Sequence, residues 1–131
     1  MLSTLLGALM SIVGGINGEI VYAQEVEVQE REVVLIEVET EEHKIERLIR
    51  EEFTDAPLMV EVARCESSFR NVPGRLSDDF GPFQVNYVHL ETLEKMGLDR
   101  TKVEDNIKYA RYLYDKNGLR DWENSKHCWS K

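Results

Sequence analysis

The sequence predicts a small, mainly α-helical domain with a short loop-and-strand insertion, preceded by an apolar leader and an acidic arm. Three observations predict it. From Glu41 onward, apolar residues recur at the i, i+3, i+4 spacing of a helix face. A stretch over 71–79 carrying Pro73, Gly74, Ser77, Asp78 and Asp79 interrupts that pattern. The chain has 131 residues, room for one ordinary domain.

The leader comes first. Leu2, Leu5, Leu6, Leu9, Ile12, Val13 and Ile16 form an apolar run broken by small residues, and Val21-Tyr22-Ala23 follows with short residues where a signal peptidase reads. Residues 1–23 are therefore expected to be a signal peptide. The alternative is an N-terminal membrane anchor, because no Lys or Arg precedes the apolar run. Either destination is extracytoplasmic: secreted, periplasmic or held at the cell surface. The body of the chain has no run of about 20 clean apolar residues, which excludes a multi-span membrane protein.

Residues 24–43 form the acidic arm. Of 25 acids and 16 bases in the chain, nine acids and one base fall between Asn17 and His43. Most of the formal net charge of −9 resides there, and the region from Lys44 on is close to neutral. That balance argues against a nucleic-acid partner, since phosphate contacts need a basic face. Valine alternates with glutamate from Glu25 to Glu42, the period of a strand with one polar face. The like charges suit a disordered spacer equally well. Anionic polymers would repel the arm, which suits spacing better than adhesion.

The helical domain is expected over 44–131. Ile45, Leu48, Ile49 and Phe53 lie on one helix face. Thr54-Asp55-Ala56-Pro57 ends that helix and starts another, with Asp55 as the cap and Pro57 in the first turn. Leu58 to Glu66 is apolar on nearly all sides and predicts a central buried helix. Gly81 to Val85 predicts a short strand or turn. Val88 to Met96 predicts a helix ended by Gly97. Thr101-Lys102-Val103-Glu104 fits a capping box. It opens a helix with Ile107, Ala110, Arg111 and Tyr114 on one face, closed by Asn117-Gly118.

Cys65 and Cys128 are the two cysteines and bracket most of this region. In an oxidising compartment they are expected to pair, a useful staple for so small a core. The alternative is a metal site with His127, against which the lack of CxxC spacing counts. No metal and no cofactor is expected.

Glu66 is the residue with chemical promise. It lies four residues after Val62 and seven after Met59, on the buried side of its helix. It also sits near the helix C-terminus, where the dipole disfavours negative charge. Both effects raise a carboxyl pKa, as a general acid requires. The plainer possibility is a surface glutamate paired with Arg64 or Arg70. His89, beside Leu90, is expected at the surface, and Trp122 and Trp129 are expected to cover the end of the core.

Cys65-Glu66-Ser67-Ser68-Phe69, then Asp79-Phe80-Gly81-Pro82-Phe83-Gln84-Val85-Asn86, then Asn106-Ile107 with Tyr112-Leu113, resembles the lysozyme-like superfamily. Within it the order is most similar to short secreted lytic transglycosylases of the SLT-domain family. The resemblance covers about residues 44 to 131. It implies a lysozyme-like α+β fold and a monomer acting on peptidoglycan glycan strands. The bond cleaved would join N-acetylmuramic acid to N-acetylglucosamine. Glu66 is the implied acid, then base. Ser67 would support the glutamate or the turn, and Gln84, Asn86 and Tyr112 would contact sugar. Phe80, Phe83 and Tyr87 are candidates for stacking on sugar faces or for core packing. In similar proteins the late cysteine pairs with the one before the glutamate.

Asp79 decides the reaction class. Animal-type lysozymes place a second acid at the matching position, and lysozyme is itself the standard worked case for paired carboxylates. Lytic transglycosylases use the substrate's own N-acetyl oxygen and close an anhydro ring instead. The transglycosylase is the expected activity, the lysozyme-type hydrolase using Glu66 and Asp79 the first alternative, and a non-catalytic wall-binding module the second. Two departures stand out. Pro82 replaces the usual Leu or Ile after the glycine, and the family's late Ala-Tyr-Asn segment is missing.

Overall fold

In the computed structural model the described residues are 12–14, 20–28 and 32–131, with side chains described from Val38 onward. The chain forms two compact units, Met1–Thr40 and Glu41–Lys131.

In the first unit, β1 (Ile12–Gly14), β2 (Ile20–Val28) and β3 (Glu32–Glu37) form an antiparallel sheet in sequence order. Ile12 lies opposite Tyr22, and the β2–β3 register runs from Ala23 opposite Glu37 to Val28 opposite Glu32. The valine–glutamate alternation of the arm thus takes the extended form that its period of two suits. Most of the leader expected over 1–23 lies outside the described residues.

The second unit is mainly helical. Helix α1 (Glu41–Glu52) begins ahead of the expected boundary at Lys44, because Glu41 and Glu42 favour a helix N-terminus. Ile45, Ile49 and Phe53 are fully buried along its inner face, as the spacing predicts. Helix α2 (Leu58–Ser67) is flanked at its start by Pro57 rather than capped by Asp55. The Asp55 carboxylate is turned away, forming a two-pronged pair with Arg111 at 2.6 and 3.0 Å. Met59, Val60, Val62 and Ala63 are buried, but Leu58, Glu61 and Arg64 form an exposed stripe. The helix is therefore buried on one side, not all round.

Two short strands, β4 (Asp79–Phe80) and β5 (Val85–Asn86), pair antiparallel and enclose the Gly-Pro-Phe-Gln turn. A single 3₁₀ turn, Tyr87–His89, leads into α3 (Leu90–Lys95), and Gly97 follows at φ 68°. Helix α4 (Val103–Asn117) starts without the expected capping box. Asp99 takes both the amide and the hydroxyl of Thr101, at 2.9 and 2.7 Å, so the Thr101 side chain is turned back and does not cap. Ile107 and Ala110 are buried as expected, whereas Arg111 and Tyr114 are half-buried and Tyr109 and Leu113 take the inner face. A second 3₁₀ segment, Arg120–Ser125, and the short α5 (Lys126–Trp129) close the chain. No helix among the described residues is long and apolar enough to cross a membrane.

Phe53, Phe83 and Trp122 form a ring chain through the core, with centroids 5.4 and 5.9 Å apart. Cys65 and Cys128 are bonded across 6.0 Å between Cα atoms, tying α2 to α5. Both sulfurs are thereby used, which removes the metal site with His127. The bond suits an oxidising compartment.

Candidate active site

Helix α2 delivers Glu66 to a cleft of about 240 Å³, bounded by β4, β5, the first 3₁₀ turn, α4 and the second 3₁₀ segment. The carboxyl is half-buried. Burial raises its pKa above the ordinary glutamate value. A hydrogen bond from Ser125 opposes that rise, and the charge of Asp79 adds to it. Asp79, Gln84 and Asn86 line the same cleft, so the turn expected to accompany Glu66 does accompany it. Glu66 is not paired with Arg64, whose guanidinium turns to Glu61 at 2.8 Å, nor with Arg70, which donates to the Ser67 carbonyl at 2.9 Å.

The turn is held by side chains from three directions. Ser67 Oγ donates to the Pro82 carbonyl at 2.9 Å and accepts from the Arg70 amide at 3.1 Å. Ser67 is buried, so it braces the turn and does not reach sugar. Asn106, fully buried on α4, donates to the Phe80 and Arg100 carbonyls and accepts from the Phe83 amide, all within 3.1 Å. Trp122 Nε1 donates to the Phe83 carbonyl at 3.1 Å. Pro82 costs the turn nothing, because its carbonyl, not the missing N–H, is the group in use. Among the described residues, non-glycine side chains at positive φ are Ser68, Phe69 and Gln84, at the end of the Glu66 helix and in the turn bonded to it. Backbone strain gathered at one place is common at functional sites.

Gly81 shows how tight the bracing is. It has φ +84°, and a Cβ there would stand 2.4 Å from Asn106 Nδ2. Replacing Asn106 by alanine would strand one buried and two part-buried backbone groups, and the expected loss is about 3 kcal/mol. Denaturant unfolding measures it; a loss below about 1 kcal/mol would show that water replaces the amide without penalty.

Gln84 lines the cleft, but its amide is not free to donate there. Nε2 is bound to the Val72 and Gly81 carbonyls at 3.1 and 2.9 Å, leaving the carbonyl oxygen as the group that can serve a ligand. Asn86 donates to Asp79 at 2.5 Å and accepts from the Val88 amide at 3.1 Å, so it orients Asp79 and caps the first 3₁₀ turn. Tyr112 does not line the cleft. It is one residue, and so about 100° around α4, from Leu113, which does line it. Its ring packs on Tyr109 at 5.5 Å with the Lys116 ammonium 5.7 Å above it. Phe83 is buried in the core and lines the inner end of the cleft, whereas Tyr87 is half exposed and follows the cleft residue Asn86 in the chain.

Four residues at the site were not foreseen. His89 lines the cleft, its Nδ1 3.0 Å from the Tyr109 hydroxyl, instead of lying idle at the surface. Asp121 and Asn124 line it from the second 3₁₀ segment, and Ser125 reaches Glu66 Oε1 at 2.5 Å. The paired cysteines carried a signal for Ser125: Cys65 adjoins Glu66, and Ser125 lies one helical turn before Cys128. Among the described residues no His, Cys, Asp and Glu cluster is arranged for a metal ion. A half-buried acid with a raised pKa, a second carboxylate and amide oxygens in one open cleft can protonate and hold a neutral polar ligand. No protein-family model, curated protein or solved structure matches the chain.

Proposed function

We propose that the protein is an extracytoplasmic glycosidase that cleaves the glycan strand of peptidoglycan between N-acetylmuramic acid and N-acetylglucosamine, as a lytic transglycosylase. One observation carries the reading: Glu66 sits half-buried on the cleft wall with its pKa raised by burial. A carboxyl that keeps its proton towards neutral pH can give it to a glycosidic oxygen. The order of the surrounding motifs, which resembles that of the lysozyme-like superfamily, supplies the substrate class.

In this mechanism Glu66 protonates the leaving oxygen as the bond breaks. The substrate's N-acetyl oxygen stabilises the cationic sugar. Glu66, now a carboxylate, takes the proton from the muramic 6-hydroxyl as that oxygen closes the anhydro ring. The Gln84 carbonyl oxygen accepts from a sugar hydroxyl or acetamide N–H. Tyr87, exposed and next in the chain to Asn86, is the aromatic ring available for stacking on a sugar face.

The lysozyme-type hydrolase is a second reading, favoured by one observation. Asp79 lines the same cleft, is oriented by Asn86, and acts electrostatically on Glu66. There it would stabilise or trap the cationic sugar, and water would complete the reaction. Digestion of purified cell walls followed by mass spectrometry decides between them. Anhydromuramic ends are expected, reducing ends would favour the hydrolase, and wall binding without any product would leave a binding module. Asp79→Asn, which preserves the Asn86 contact, is expected to lower the rate less than about tenfold. A loss of about 10²-fold or more would assign Asp79 a direct part.

A further inference from the structure

The Ser125 hydroxyl has one proton and two acceptors within reach. Glu66 Oε1 is at 2.5 Å and the Trp122 carbonyl at 3.1 Å. The shorter contact, to a carboxyl oxygen, is the one its proton serves. A third group fixes the hydroxyl from behind: Trp129 Nε1 donates to Ser125 Oγ at 3.1 Å and shares its proton with the Trp122 carbonyl at 3.2 Å. Trp129 is buried. Glu66 is thus held by a hydroxyl that is itself held by a buried indole. The disulfide three residues on ties this segment to the helix of Glu66.

The geometry points to Ser125 as the positioning residue of the acid. Its hydroxyl occupies Glu66 Oε1, so that the transferable proton is carried on Oε2, the oxygen left to the cleft. This rests on the reading of Glu66 as the proton donor and adds the group that decides which oxygen delivers. A neutral carboxyl carries its proton on either oxygen. An external donor at one oxygen makes that oxygen the acceptor and leaves the proton to the other. Ser125 itself gives up no proton and forms no bond. After transfer both carboxylate oxygens accept, and the Ser125 bond strengthens because its acceptor is now charged.

The other titratable groups around the carboxyl are placed differently. Asp79 of β4, His89 of the first 3₁₀ turn and Asp121 of the second 3₁₀ segment line the cleft with Glu66. On α2, Arg64 is turned to Glu61, and on α5, Lys126 is paired with Glu123 at 3.1 Å. The charge of Asp79 opposes ionisation of Glu66, whereas the Ser125 hydrogen bond favours it. Removing Ser125 therefore moves the Glu66 midpoint upward.

The experiment is a carboxyl-carbon NMR titration of the full chain, beside the pH profile of wall cleavage. In Ser125→Ala the Glu66 midpoint is expected to rise by about one pH unit. The alkaline limb of the activity profile should follow it, and the plateau should fall about twofold as the proton distributes over both oxygens. Ser125→Thr, which keeps a hydroxyl, should restore both. The wild-type protein supplies a check that depends on no variant at Ser125. The Trp129 indole N–H should show an inflection at the Glu66 midpoint that Glu66→Gln removes, larger than any at the Trp122 indole, whose acceptor is the Phe83 carbonyl. An unmoved Glu66 midpoint in folded Ser125→Ala, or a Trp129 signal without that inflection, overturns the proposal. Both titrations are readable without any cleavage, so failure of the wild-type protein to cut walls would count against the enzyme reading alone.

Discussion

Replacing Glu66 by glutamine is expected to lower the rate of wall cleavage about 10²–10⁴-fold, the usual contribution of a positioned acid, while leaving the fold intact. Glutamine keeps the shape and an oxygen acceptor for the Ser125 hydroxyl at Oε1. What it loses is the proton. The same substitution should change stability in a sign that follows from the raised pKa. Burial, and then the charge of Asp79, lift the folded-state value above that of the unfolded chain, against the opposing Ser125 bond. The folded state therefore binds the proton more tightly. The resulting stability is fully present below the unfolded glutamate value and is lost as pH rises through the raised one. Glutamine has no such dependence, so the variant should gain on the wild type as pH rises through that window. Thermal melts at several pH values measure the difference. Unchanged lysis of purified walls would end the enzyme reading, and a pH-independent difference in melting would show that the carboxyl is not held by its surroundings as argued.

What the sequence made legible was local or periodic. Ile45, Ile49 and Phe53 reveal their helix because burial on one face imposes the spacing, and the same rule marks Ile107 and Ala110. Glu66 is legible because it continues the buried face begun at Met59 and Val62 and ends its helix. Thr101 misleads because Asp99, two residues earlier, competes for its hydroxyl, and a capping pattern does not reveal such a competitor. Asp55 misleads likewise, drawn off by Arg111 from a helix 56 residues away. Tyr112 fails for a rotational reason, since a motif names a pair of helix residues and packing decides which of the two faces the cleft. Ser67, Gln84 and Asn86 are where the motif puts them, but much of their hydrogen-bonding capacity serves the backbone of the turn. A sequence motif does not separate a residue that touches ligand from one that shapes the loop beside it. Asp121 is distant in the chain from Glu66 and follows no period, so tertiary packing alone brings it in, whereas Ser125 is signalled only through the paired cysteine three residues on.

Breaking the Cys65–Cys128 bond is expected to cost about 4 kcal/mol, because it closes a span of 63 residues and releases that much chain entropy to the unfolded state. For a domain of this size the midpoint of thermal unfolding should fall by roughly 20 °C. A paired Cys65→Ser, Cys128→Ser variant measures it without reductant. The effect should not be purely global. The bond joins the end of α2, next to Glu66, to α5, which carries Trp129 and is preceded by Ser125. Ser125 and Trp129 also contact one another and the Trp122 carbonyl, but Glu66–Ser125 is the polar link from this group back to α2. Without the covalent tie, α5, a helix of four residues, should open locally before the core unfolds. Activity should therefore be lost at temperatures where Trp122, packed on Phe83 in the core, is still buried. Comparing the temperature at which wall cleavage fails with the temperature at which the Trp122 indole N–H signal, followed by NMR apart from that of Trp129, loses its folded position tests this. If the two coincide in the serine variant, the disulfide acts on the unfolded chain alone and the site is held by packing.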